Sequence, residues 1–330
     1  MTKATTLTHI ECDASARDGM TLVLKTRFEE MCSLRDAALD WSDPEGVHNM
    51  RVASRRLRGA LSDFMPFLRK RRHAAYLEQI RVLARALGRV RDYDVEIMTL
   101  ENTATKAPSE IARGILEFAR LRNAARDEAR EKLSFPLDPD GLLKLKSKFA
   151  SALERDPGQK GKEEKQKVLV SPGVTYREAA TSILLSRLEE LETLSNSLYH
   201  PLKAKPQHEM RIAAKHLRYA LELFEPCWGL PITPLATKVA ALQTSLGKLH
   251  DCDIWIERFG KAATKPEPPV DFDYRATAVW LLCHFMKLRN KHLIRALSEW
   301  NEWERDGLSA QLRQLVQSDS SAAAAGLAVH

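Results

Sequence analysis

The segment HNMRVASRRLRGALSDFMP at residues 48–66 returns without a gap as HEMRIAAKHLRYALELFEP at residues 208–226. Ten of the nineteen positions are identical, where chance gives about one, so the chain is expected to fold as two related halves rather than two unrelated domains. A second match follows in the same order. LARALGRVRDYDV from Leu83 lies over LQTSLGKLHDCDI from Leu242, sharing Leu, Gly and both Asp. The Leu-Arg-Asn at 121–123 and at 288–290 supplies a third.

Between the copies, DPGQKGKEEKQKVLVSPG at 156–173 is rich in charge, Gly and Pro and lacks apolar periodicity, which reads as a linker. The halves are therefore 14–155 and 174–316, together one domain over 14–316, and residues 317–330 read as a disordered tail. Shorter breaks fall at 103–109, 135–141 and 265–271. Elsewhere apolar residues recur at three and four, over 14–40, 110–133, 142–154, 174–199 and 273–304, without a convincing alternating β-branched run. Pro44 and Pro206 stand near two helix starts, where a missing N–H costs little. The expected class is all-α, with about four helices in each half and the halves related by a pseudo-twofold axis.

The charge distribution narrows the function. The net charge of +7 is modest for 330 residues. Between His48 and Arg91, however, twelve Lys and Arg face two acids, and from His208 to His250 five bases face three. The rest of the chain is net acidic, so the cationic charge is gathered rather than spread, and a polyanionic partner is implied.

At about 100° per residue, His48, Arg51, Arg55 and Arg58 fall within an arc of roughly 80°. Met50, Ala53, Leu57, Ala60, Leu61 and Phe64 occupy the opposite side. The second copy repeats the stripe with His208, Arg211, Lys215 and Arg218 and adds Tyr219. Bases on one face repel one another unless acids one turn away relieve them, so stability alone disfavours the pattern. Arg offers a planar fork that matches phosphate and keeps its charge, Lys a point charge, and His a charge tunable near neutrality.

Nucleic acid is the competing polyanion, but sequence-tolerant single-strand binding relies on aromatic platforms and the stripe holds only Tyr219. No phosphate loop, nucleophile elbow or zinc-protease helix occurs, and the histidines near the stripe lack an evident nucleophile, so binding without turnover is the expectation. In RVRDYDV, Arg91 and Asp94 project onto the apolar arc of Ile80, Leu83, Leu87 and Val90, and His250 and Asp253 should follow. They read either as an inward basic residue oriented by a carboxylate or as an interhelical ion pair. Asp92 and Asp94 lack further ligand spacing, so no metal site and no cofactor are expected. The five scattered cysteines form no C-x-x-C pair, the first twenty residues hold no apolar core, and no stretch approaches eighteen uninterrupted apolar residues. A cytoplasmic chain without a membrane span is the expectation.

VHNMRVASRRLRGAL and QHEMRIAAKHLRYALELF resemble the two signature helices of the conserved histidine α-helical domain, CHAD, and LGRVRDYDV and LGKLHDCDI resemble its next motif. The resemblance implies two four-helix bundles around a basic central pore, inorganic polyphosphate as ligand, and association with polyphosphate granules. Nucleic acid would be a weaker electrostatic competitor. Matched position by position, it points to His48, Arg51, Arg55, Arg56 and Arg58 in the first half and His208, Arg211, Lys215, Arg218 and Tyr219 in the second. Arg89, Arg91, Lys248, His250, Arg122 and Arg289 are further candidates. The second half is the less basic, so the first is expected to contribute more affinity.

Overall fold

The computed structural model describes residues 5, 7, 10–155, 173–264 and 272–326, with the side chains of 70–72 and 319–326 outside the description. The described residues form eleven α-helices: α1 Ala16–Ser33, α2 Arg35–Leu39, α3 Pro44–Phe64, α4 Lys70–Ala104, α5 Ser109–Leu133, α6 Pro139–Glu154, α7 Tyr176–Leu194, α8 Ala204–Trp228, α9 Thr233–Thr264, α10 Tyr274–Arg305 and α11 Leu308–Gly326. Three short 3-10 turns accompany them. Their extended pairing is a single isolated bridge between Ser15 and Thr175. The fold is all-α, as the apolar spacing predicts. No described helix is long and apolar enough to cross a membrane.

Five of these helices in each half have sixteen residues or more, one above the expected count of about four. Residues 156–172 of the expected linker and the break at 265–271 lie outside the described residues. Helix α11 continues to Gly326, through the alanine run read from the sequence as a tail, in keeping with the helix propensity of alanine.

By internal packing the chain divides into two compact units, Met1–Lys106 with Leu116–Ala179, and Ala107–Ile115 with Ala180–His330. Helices α5 and α7 each begin in one unit and continue in the other, so the units do not part at the linker alone.

In the first unit, α3 is held between α1 and α4. Its apolar side, Met50, Leu57, Leu61 and Phe64, is fully buried with Phe28 and Met31 of α1 and Ile80, Leu83, Leu87 and Val90 of α4. Phe149 of α6 closes the core against Phe28, with ring centroids 5.2 Å apart. The backbone N–H of Tyr176 donates to the carbonyl of Ala14 and that of Ala16 to Val174, which ties the starts of α1 and α7 together. In the second unit, Met210, Leu217, Leu221 and Phe224 of α8 are buried with Leu242, Leu246 and Leu249 of α9. Trp255 stacks nearly parallel on Phe259 and on Phe285 of α10, at 5.4 and 5.1 Å.

The start of α3 is built with little room. Asp43 caps it by accepting from the N–H of Glu45 at 2.9 Å, and Pro44 follows at the first helical position. A Cβ on Gly46 would lie 1.8 Å from the carbonyl oxygen of Ala37, so only glycine lets α2 lie so close to the helix that carries His48 two residues on. Gly46→Ala is expected to destabilise the protein by about 3 kcal/mol, the upper part of the overpacking range, measured by urea denaturation followed by circular dichroism. A midpoint unchanged from wild type would show that α2 yields freely and does not set the start of α3.

Candidate polyanion-binding site

In the first unit, the burial of the apolar side of α3 sends His48, Arg51, Arg55 and Arg58 to the opposite side, all four half-buried. Arg58 is the most telling of them. Its proton affinity is lowered, first by burial and then by Arg81, Arg55, Arg51 and Arg85. The charges that perturb it most are all guanidiniums. An arginine so placed stays protonated near neutrality, so the result is a persistent concentration of positive charge where α3 meets α4.

Acids temper only part of this cluster. Arg51 donates to Asp92 at 3.1 Å, Arg91 lies 3.8 Å from Glu45, and Arg81 and Arg85 reach the exposed Glu78 at 3.5 and 2.8 Å. Burial and then the charge of Arg91 push the pKa of His48 below its ordinary value, with Glu45 opposing. The Nδ1 of His48 is buried without a hydrogen-bond partner among the described residues. Arg81 and Arg85 are not among the sequence candidates. They stand one and two turns before Arg89 on α4, and that spacing on a neighbouring helix is the signal that could have found them.

The second unit repeats the frame with different partners. His208, Arg211, Lys215 and Tyr219 are half-buried along α8. His250 of α9 takes the position of Arg91, and its Nδ1 lies 3.1 Å from the Nδ1 of His208, with ring centroids 4.1 Å apart. One ring must donate and the other accept, so the contact requires at least one neutral imidazole. Burial, then Arg211 and His208, push the pKa of His250 down to about 4, and burial with Arg211 and Lys215 also lowers that of His208.

A glycine of the next helix lies under the second base of each stripe. A Cβ on Gly88 would meet the Nε of Arg51 at 3.7 Å, and one on Gly247 the Nε of Arg211 at 4.0 Å. The Leu-Gly of the second sequence match thus leaves the surface low enough for a guanidinium to lie across it.

Several candidates are used otherwise. Arg56 turns away from the stripe and lies 3.5 Å from Glu30, which also accepts from Arg27 at 2.7 Å, and all three side chains are largely buried. The second unit has the same arrangement: Glu190 accepts from Arg187 at 2.8 Å and lies 3.8 Å from His216, and its pKa is drawn down to about 2, first by His216. These clusters clamp α1 to α3 and α7 to α8. They also expose a further correspondence, since RFEE at 27–30 matches RLEE at 187–190. Arg218 is buried, donating to Glu222 at 2.7 Å and Gln243 at 2.9 Å. Arg289 donates to Asp253 at 2.5 Å and to Gln207 at 2.9 Å. Arg122 lies 3.6 Å from Glu96. Arg89 and Lys248 are exposed.

Of the two readings of RVRDYDV, the ion pair across helices prevails. Asp94 sits between Arg126 and Arg130 of α5, at 3.9 and 3.6 Å, rather than orienting Arg91. Its pKa is nevertheless raised, because burial outweighs those arginines. Asp92 and Asp94 thus point to different partners, and among the described residues no three His, Cys, Asp or Glu side chains gather as metal ligands would.

The described residues thus form an all-helical protein of two units, each presenting a half-buried basic stripe over the glycine of its neighbouring helix. The profile of the CHAD domain matches residues 22–260, and the chain belongs to this family. Two solved structures share the fold. One is the crystal structure of the CHAD domain from the plant Ricinus communis, 20% identical with a TM-score of 0.65, covering 93% of this chain and 94% of that one. The other is PptA from Streptomyces chartreusis, 14% identical with a TM-score of 0.66, covering 87% of this chain and all of that one. No curated protein sequence matches.

The histidine pair makes stability depend on pH with a definite sign. A histidine held at about 4 when folded and near its ordinary value when unfolded takes up its proton preferentially in the unfolded state. Its contribution is complete above about pH 6.5 and lost as pH falls toward 4. The melting temperature of His250→Asn is expected to fall less steeply than that of wild type between pH 6.5 and 4.5. Parallel profiles would show that the imidazole contact does not contribute.

Proposed function

We propose that this protein binds inorganic polyphosphate on the basic stripes of α3–α4 and α8–α9, as a non-catalytic scaffold. The observation that carries the reading is the surroundings of Arg58, where the charges that perturb it most are four other guanidiniums and the acids that reach them, Asp92 and Glu78, are exposed. Holding those groups together costs the unliganded protein, and a flexible chain of phosphates offsets that cost at several points at once. Membership of the CHAD family agrees with this ligand, which the family resemblance implies.

The residues proposed to touch the polymer in the first unit are His48, Arg51, Arg55 and Arg58, joined by Arg81, Arg85, Arg89 and Arg91 from α4. In the second they are His208, Arg211, Lys215, Tyr219 and His250, whereas Lys248 lines a separate cavity between α9 and α10. Arg56, Arg122, Arg218 and Arg289 are assigned to holding the fold, because each is engaged with a half-buried acid within its own unit, whereas the acids beside Arg51, Arg81, Arg85 and Arg91 are exposed. The first unit contributes more of the affinity, since Arg218, the counterpart of Arg58, is spent on Glu222 and Gln243.

Binding without turnover is favoured by the histidines themselves. His48, His208 and His250 are made weaker bases by burial and neighbouring cations, away from the pKa that suits a general base near neutrality, and the ring of His208 faces another imidazole rather than a nucleophile. Nucleic acid binds more weakly on this reading, because Tyr219 is the one aromatic ring of the stripes. The same reading puts the protein in the cytoplasm, at polyphosphate granules.

The test is a titration of polyphosphates of graded length against single-stranded RNA across a salt series. Long polyphosphate is expected to bind more tightly at physiological salt, and RNA of equal affinity overturns the proposal. Arg58→Met should weaken polyphosphate binding by tenfold or more while raising the stability of the unliganded protein by about 0.5–1 kcal/mol through lost repulsion. Arg56→Leu should do the opposite, lowering stability by about 1–3 kcal/mol and leaving the affinity of the folded protein unchanged. If the two variants behave alike, the division between ligand-facing and structural arginines is wrong.

A further inference from the structure

The second unit contains a cavity of about 330 Å³ between α9 and α10, lined by Thr244, Ser245 and Lys248 from one helix and His292 and Arg295 from the other. We propose that this cavity is a separate oxyanion pocket for a compact phosphate group, either free pyrophosphate or the end group of a longer phosphate chain.

Three basic side chains and two hydroxyls from two adjacent helices open onto one space. Thr244 and Lys248 are one turn apart on α9, and His292 and Arg295 nearly one turn apart on α10, so the donors meet across the helix contact. His292 has its proton affinity lowered first by burial and then by Lys248, Lys291 and Arg295. Arg295 is steadied at the rim by Glu299, to which it donates at 3.1 Å. Among the described residues no carboxylate pairs with Lys248.

The sequence repeat shows that this pocket is not a second appearance of the stripe. Ala240, Ala241 and Thr244 line it, and under the alignment that pairs Leu83 with Leu242 their counterparts in the first unit are Arg81, Val82 and Arg85. Where the first half carries two long guanidinium side chains, the second has a methyl and a hydroxyl. The volume they leave and the bases that remain around it make a half-open hollow in place of a charged surface. At this size it lies near the lower end of small-molecule sites and suits one or two phosphate groups better than a threaded polymer. The hydroxyl of Ser245 supplies a directional donor that a bare charged face lacks, whereas that of Thr244 donates to the carbonyl of Ala240 at 2.7 Å.

The argument does not rest on polymer binding at the stripes, and the two fail separately. Isothermal titration of the full chain with pyrophosphate is expected to show one site, weakened tenfold or more in His292→Gln/Arg295→Gln and retained in Arg211→Glu/Lys215→Glu. Pyrophosphate binding that survives the first variant, or vanishes only in the second, overturns the pocket whatever long chains do. Arg211→Glu/Lys215→Glu instead tests the stripe, read with long-chain polyphosphate. Polyphosphate with free ends that displaces pyrophosphate, while chains esterified at both ends do not, assigns the end group. Failure of both to displace it assigns the free anion. To separate loss of the site from loss of fold, Lys248→Gln removes one cation from an exposed position and should weaken pyrophosphate several-fold with an unchanged melting temperature.

Discussion

Each signature helix has one side that must be buried, and that requirement governs where its charges go. In α3, Met50, Leu57, Leu61 and Phe64 are removed completely from water against α1 and α4. At roughly 25 cal/mol per Å² of apolar surface, burying side chains of this size outweighs the repulsion among a few guanidiniums on the other side. The rotation of the helix about its axis is therefore set by the core. The basic residues, all on the remaining arc, are brought together as a consequence. A stripe held in this way does not relax by turning outward, and it keeps its charge density with or without a ligand.

The clamps beneath the stripe show the same physics with the opposite outcome. Arg56 is next to Arg55 in the chain, yet a single step around the helix carries it from the basic face to a nearly buried site beside Glu30. There, two arginines share one carboxylate, and loss of either leaves a charged group poorly solvated. Glu190 holds the corresponding place in the second unit, with Arg187 and His216 around it. The acids that reach the stripe, Asp92 and Glu45, are exposed, while a largely buried carboxylate anchors the helix from its other flank.

Much of this is legible in the sequence, because periodicity and repetition both report on burial. The arc of His48, Arg51, Arg55 and Arg58, the opposing apolar side, the break at 103–109 before α5 and the start of α3 at Pro44 all follow from spacing along a single helix. What spacing could not give is the identity of partners brought in from another helix. Arg218 has Glu222 one turn on where Arg58 has Ser62, a difference the sequence does carry, but Gln243, which also turns it inward, comes from across the helix contact. Arg56 looks like a member of a basic run until Glu30 is seen beside it. Asp94 projects inward as expected, but its arginines come from α5, whose register against α4 no local pattern reveals. The contact between His208 and His250 likewise depends on how α9 lies against α8.

The two units therefore keep one frame and spend their charges differently. In the first, α4 supplies Arg81 and Arg85 to the neighbourhood of Arg58, and the face stays cationic at any pH near neutrality. In the second, Arg91 is replaced by His250, Arg58 by the internally bonded Arg218, and Arg81 and Arg85 by Ala240 and Thr244. Each replacement trades a permanent positive charge for a group that is neutral, internally paired or small. The glycine under the stripe and the carboxylate clamp behind it are retained in both. Retention of the scaffold alongside loss of charge is what allows the second unit to open a pocket between α9 and α10, since side chains no longer needed for a charged surface leave space that the surrounding helices, held by Trp255, Phe259 and Phe285, do not collapse to fill.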